Sequence, residues 1–203
     1  MPQLNGAALA DISFLFLIFF LLVATMDFDQ GIPRQLPRIV EDDFIMEIQD
    51  RNLMVIQINM NDHVAVRNHL HRDAIHYNHT DELLGTPTQP SLVELMREFI
   101  LNENNDPYLP MVVETDFGPG IGYQRTTGGW HVISVQNDMT TSYRAFMAVQ
   151  NEIVRAVNQL REEASRQFFN MSFEALGADE RAQITDLFPI RLSQAEPRNF
   201  GPQ

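Results

Sequence analysis

Leu9-Ala-Asp-Ile-Ser-Phe-Leu-Phe-Leu-Ile-Phe-Phe-Leu-Leu-Val-Ala-Thr-Met26 divides this chain in two. The run of about 18 residues would make a helix of roughly 27 Å, near the thickness of a bilayer's hydrocarbon core. A single charged residue, Asp11, lies inside it. The run reads as one transmembrane helix over 9–26, preceded by a short leader over 1–8. It also reads as an anchor that is kept: no basic residue precedes it, and Asp11 and Ser13 interrupt what a cleaved signal would keep apolar.

Everything after Met26 reads as water-soluble. About 165 residues remain there, enough for one domain with its own core. The chain of 203 residues carries a net charge of −13, so phosphate backbones would repel it and nucleic acid is excluded as a partner. Its 14 basic residues are all arginine. With no cysteine, disulfides and thiolate metal sites are excluded too.

Working outward, Asp27 to Asp43 reads as an extended strap, because Gly31, Pro33 and Pro37 break a helix. Residues 44–194 read as one α+β domain, a mixed sheet with helices on one face. Strands are expected at 44–49 and 53–60, with Met54, Ile56, Ile58 and Met60 sharing a face by alternation. His63–Val66 would return as a hairpin arm. Residues 67–90 read as irregular. Ser91 and Glu94 have capping-box spacing, and the helix after them, about 92–102, presents Leu92, Leu95, Met96 and Phe99. Further strands are expected at 111–115 and 130–135. A long helix over about 141–165 carries Tyr143, Phe146, Met147, Ile153, Val154, Val157 and Leu160 as its apolar stripe. A helix at 179–187, a strand at 190–193 and a frayed tail over 195–203 complete the order.

Asp11 invites a chemical reading. A carboxylate at a helix centre in lipid costs about 2.5–3.5 kcal/mol, which favours the protonated acid. One charge crossing 100 mV releases about 2.3 kcal/mol, a similar amount. Proton binding could therefore switch the surroundings that the helix prefers. The plain alternative is a membrane-edge charge or an N-cap. Thr25, 14 residues on, falls within about 40° of the same helical face. Phe14, Leu15, Ile18 and Leu22 fill the stripe between them. A polar residue at each end suggests a face turned toward protein, although a Thr hydroxyl often bonds only to its own helix.

Ala10 to Thr25, followed by Gly31-Ile-Pro-Arg-Gln-Leu-Pro37, resembles the ExbD/TolR family of biopolymer-transport proteins. Ile133-Ser-Val-Gln-Asn-Asp138, Tyr143 with Ala148-Val-Gln-Asn-Glu152, and Arg191 to Asn199 are similar to the larger ExbD forms of Bacteroidetes-type bacteria. The resemblance covers most of the chain outside 67–90 and 117–128. It implies an inner-membrane protein with a cytoplasmic N-terminus and a periplasmic C-terminal domain. Arg34 and Arg38, taken alone, would have put that domain inside. It implies that Asp11 carries protons and that Leu36-Pro37 is the membrane-proximal strap; the shared helical face adds Thr25 as a second candidate for proton translocation. The implied partners are a multi-span ExbB-type pentamer, a TonB-type protein, a second copy of this chain, and lipid. A TolR-like role would add peptidoglycan. An anchored periplasmic scaffold or binding domain is the alternative from another class. Family members usually have a longer cytoplasmic tail than this leader.

Two other patterns are weighed against plainer readings. His63, His69, His71, His76 and His79, with Asp73 and Asp81 nearby, have ligand-like spacings but read better as a polar surface loop. Phe117-Gly-Pro-Gly-Ile-Gly-Tyr123 lacks the Gly-Lys-Ser/Thr ending of a phosphate loop and reads as a hairpin connection. No nucleophile–base pairing stands out. The expectation is a protein that is not an enzyme and uses no cofactor or metal.

Overall fold

The computed structural model describes residues 6–24 and 49–194. The chain divides into two compact units, 1–45 and 46–203. In the first, helix α1 covers Gly6–Ala24, so it begins before the expected Leu9. The Ser13 hydroxyl donates to the Leu9 carbonyl one turn back (2.8 Å), which satisfies it within the helix. The side chains described in α1 run from Leu9 to Phe20, and each is exposed. Among the described residues no helix is long and apolar enough to cross a membrane. Thr25, the strap with Leu36 and Pro37, the expected strand over 44–49 except Gln49, which is not in a strand, and the tail over 195–203 lie outside the described residues.

The second unit is built on a five-stranded mixed sheet. Its strands are β1 (Leu53–Ile58), β2 (Val64–Arg67), β3 (Ile75–Tyr77), β6 (Val132–Asn137) and β7 (Leu192–Gln194), in the order β3-β2-β1-β6-β7. β1 pairs antiparallel with β2 and parallel with β6, and β6 pairs parallel with β7. Two strands form a separate antiparallel hairpin, β4 (Val113–Asp116) and β5 (Tyr123–Thr126). Helix α2 covers Leu92–Leu101, α3 covers Tyr143–Phe169 and α4 covers Ala178–Leu187.

Register explains the core. Met54 lies opposite Ile133, and Ile56 lies between Val135 and Val66, so one face of the sheet is continuously apolar. Leu92, Leu95, Met96 and Phe99 of α2 are buried in the same core, as expected. Each such side chain contributes about 1.5–3 kcal/mol on burial. Met60 departs from the expected face and is half exposed, because β1 ends at Ile58 and Asp62 turns the chain with φ of 62°. The Ser91 cap is a full capping box: Ser91 Oγ accepts from Glu94 N (3.1 Å), and Glu94 Oε2 accepts from Ser91 N (2.8 Å).

The stripe of α3 is shifted. Ala145, Val149, Ile153, Ala156, Val157, Leu160 and Ala164 are buried, whereas Tyr143 is exposed and Phe146, Met147 and Val154 lie at the flank. Alanines line the contact because small side chains let the helix approach closely. Arg97 of α2 makes two 2.8 Å bonds to the Glu163 carboxylate of α3.

The stretch 67–90 is more ordered than its composition suggests. It holds β3 and a short 3-10 helix over Thr80–Leu84, and it buries Tyr77 and Leu83 completely. The Tyr77 hydroxyl donates to the Pro90 carbonyl (2.9 Å). Burial pushes its pKa up to about 12. A smaller second core gathers Ile121, Ala164, Leu176, Ile184 and Leu187, flanked by Phe117, Phe169, Phe173 and Phe188.

Candidate functional site

α1 carries the side chains to which the sequence assigned chemistry. Asp11, Phe14, Leu15 and Ile18 all lie on it and all are exposed. Their 3, 4 and 7 spacing puts them along one side of the helix. Leu22 continues that line in the helix backbone. Phe16, Leu17, Phe19 and Phe20 are exposed on the remaining sides, at 58%, 59%, 59% and 65%. A helix apolar all round finds a stable place only inside protein or lipid. Asp11 makes no hydrogen bond or ion pair among the described residues.

The histidines do not converge. His71 Nε2 lies 3.2 Å from Glu98 Oε2, and His69 Nε2 lies 2.6 Å from an Arg72 nitrogen. The His69 ring packs edge-on against Tyr108. Among the described residues no group of three or more His, Asp or Glu could hold a metal ion. The glycine loop is a hairpin connection. Phe117 N donates to Gly122 O (3.1 Å), which closes the turn between β4 and β5. Gly120 has φ of 110°, and a Cβ there would stand 2.8 Å from the Phe169 ring, so the tight packing of this loop excludes a side chain.

That hairpin forms one wall of a cleft of about 650 Å³ in the α+β domain, which the sequence reading missed. Its lining includes Asp116, Phe117, Trp130, Gln183, Asp186 and Arg191. Asp116 ends β4, and its Oδ1 accepts from Gly118 N (2.9 Å). Trp130 is half-buried and precedes β6, which begins at Val132 and not at Trp130 as expected. Asp186 is exposed in the last turn of α4. Gln183 Oε1 is buried without a hydrogen-bond partner.

Beneath the cleft the loop before β6 is locked in place. Thr126 Oγ1 donates to Leu187 O (3.1 Å) and accepts from Gly128 N (2.9 Å). The Thr127 hydroxyl donates to Ile100 O. The fully buried His131 ring sits with Nδ1 3.1 Å from Thr127 O and Nε2 3.1 Å from Pro189 O. A neutral ring donates through one nitrogen only. Burial pushes its pKa below the ordinary 6.5, outweighing both carbonyls, and Arg191 adds to that. The one sequence signal for this region was the isolated Trp130, read there as part of a strand.

No curated protein and no solved structure matches the chain. A family model, described as biopolymer transport protein ExbD/TolR, matches residues 1–161. That match takes in α1, the whole α2 layer and most of α3. The chain therefore belongs to the ExbD/TolR family of biopolymer transport proteins.

Proposed function

We propose that this chain is the proton-carrying subunit of an ExbB–ExbD-type motor that energises TonB-dependent outer-membrane transport. Membership in the family already supports a part in energy transduction for biopolymer transport, alongside ExbB/TolQ-type and TonB/TolA-type proteins. Its members are inner-membrane-anchored transport proteins and not enzymes. The finer reading is ours. α1, with Thr25 and Met26 after it, crosses the membrane once, with the N-terminus cytoplasmic and the α+β domain periplasmic.

The observation that carries this reading is the carboxylate of Asp11, alone on a helix whose described side chains are otherwise almost all apolar and exposed. An exposed apolar surface on every side calls for lipid or a surrounding protein. A lone carboxylate in such surroundings is costly when charged, so it serves best where protons arrive and leave. Phe14, Leu15, Ile18 and Leu22 would face the pore of a pentameric multi-span partner, with Thr25 at the far end. Two copies of the chain would share that pore, and Leu36-Pro37 would lead each out of the membrane. Within the family, the larger ExbD forms are the group to which we assign it.

Asp11→Asn keeps the shape but cannot ionise. It is expected to reduce energised uptake to background while the complex with the multi-span partner still purifies intact. Uptake at the normal rate would refute the mechanism. The family description covers TolR as well as ExbD. A TolR-like role in envelope integrity, with peptidoglycan as a ligand, is thus the second reading. The partner that co-purifies in mild detergent distinguishes them.

A further inference from the structure

The cleft between the β4–β5 hairpin and the end of α4 has no part in the α1 mechanism, and its chemistry is one-sided. Two carboxylates, Asp116 and Asp186, line it together with one cation, Arg191, which leaves a net charge of −1. Asp186 and Arg191 form no ion pair among the described residues, whose ion pairs lie elsewhere. Gln183 lines it too, with its Oε1 occluded from solvent. Trp130 adds an aromatic surface, the strongest cation–π acceptor among side chains. The lining thus offers acceptors and a π face. Its volume falls in the usual range for ligand sites, about 300–1,000 Å³.

Asp186 is the informative residue. It stands in the last turn of α4, where the helix dipole is negative and a carboxylate is unfavourable. No basic side chain in that turn offsets it. The charge weakens the helix that carries it and leaves the carboxylate free to accept from a ligand in the cleft.

We propose that this cleft binds a lysine or arginine side chain presented on an extended segment of a partner protein. The cation lies over Trp130, its N–H groups donate to Asp186 and Asp116, and the net charge of −13 attracts the basic segment from a distance. This inference does not rest on the α1 reading.

Trp130 is the only tryptophan in the chain, so its fluorescence reports on the cleft directly. The full chain in mild detergent would be titrated with acetyl-Gly-Gly-Arg-Gly-Gly-amide. The same peptide with citrulline, which keeps the shape and loses the charge, is the control. The arginine peptide is expected to give a saturable change and the citrulline peptide none. Asp186→Asn is expected to weaken binding about tenfold. Arg191→Gln is expected to tighten it, since it removes the opposing charge. The melting temperature of Asp186→Asn should stay level or rise, which separates lost binding from lost folding. An absent or unsaturable response overturns the proposal, as does an equal response to citrulline. Saturation by a neutral disaccharide in place of the arginine peptide would make the cleft a glycan site and overturn it too. Asp11→Asn should leave every one of these readings unchanged, so the two proposals fail separately.

Discussion

Helices α1 and α3 are built on opposite rules. α3 runs 27 residues and hides one line of small and branched side chains, from Ala145 to Ala164. Its outer side carries ion pairs such as Glu152–Arg155 and Glu162–Arg166. Helix α1 has no hidden line among its described side chains. α3 is specified by the rest of its own chain. α1 carries apolar surface on all sides and is specified by what surrounds it. A substitution in the first kind of helix should register as stability, and in the second as assembly or activity.

The largest effect expected within the domain is at Phe99, which is fully buried between α2 and the sheet. Phe99→Ala should destabilise the domain by about 3–5 kcal/mol, read by denaturant unfolding. Phe16→Ala in α1 should leave that unfolding free energy unchanged. A comparable loss there would break the contrast between the helices.

A smaller effect belongs to the α2 cap. Ser91→Ala should lose about 1 kcal/mol at neutral pH. Its pH dependence has a definite sign. Backbone and side-chain hydrogen bonds from Ser91 hold the Glu94 carboxyl below its ordinary 4.5. A depressed carboxyl stabilises the fold above its unfolded pKa and loses that contribution as pH falls through the folded value. The wild-type and Ser91→Ala stability curves should therefore draw together below about pH 4.5. Parallel curves down to pH 2 would show that the Ser91 hydroxyl adds nothing to the carboxylate, since the backbone N–H bond to Glu94 survives the substitution.

The smallest effect is at the bridge between α2 and α3. Arg97 and Glu163 are partly exposed, at 29% and 59% of their side chains. Arg97→Gln should lose less than about 1 kcal/mol, and less still at high salt. A larger loss would mean that α3 depends on charge as well as on its alanine-lined contact.

Much of this fold was legible in the chain because local rules were strong. Alternation at Met54, Ile56 and Ile58 and the Ser91–Glu94 spacing name their elements directly. The stripe of α3 was misplaced by reading size as burial. Tyr143 is large but exposed and Met147 is large but at the flank, while Ala145 and Ala156 sit in the contact. β3 was missed because three residues amid His, Asn and Asp give no period, although Tyr77 is fully buried there. The cleft was invisible for a different reason. Asp116, Trp130 and Asp186 come from three distant stretches, and only the fold brings them together. Asp11 was noticed because a lone charge in an apolar run stands out without any tertiary partner, and its chemistry is a proposal.

The parallel pairing of β1 with β6 has a consequence for how the domain is made. Gln57 Nε2 donates to Gln136 Oε1 (3.1 Å), across a separation of 79 residues. β2 and β3 follow β1 closely and can fold back on it at once, but the other edge of β1 waits for a strand far along the chain. At typical synthesis rates that wait is roughly 4–16 s. For that interval an apolar strand offers an open row of backbone donors and acceptors to any passing chain. The nascent chain is thus most prone to aggregate before residue 132 emerges, and a chaperone that shields β1 should matter more to its yield than one that acts on the finished domain.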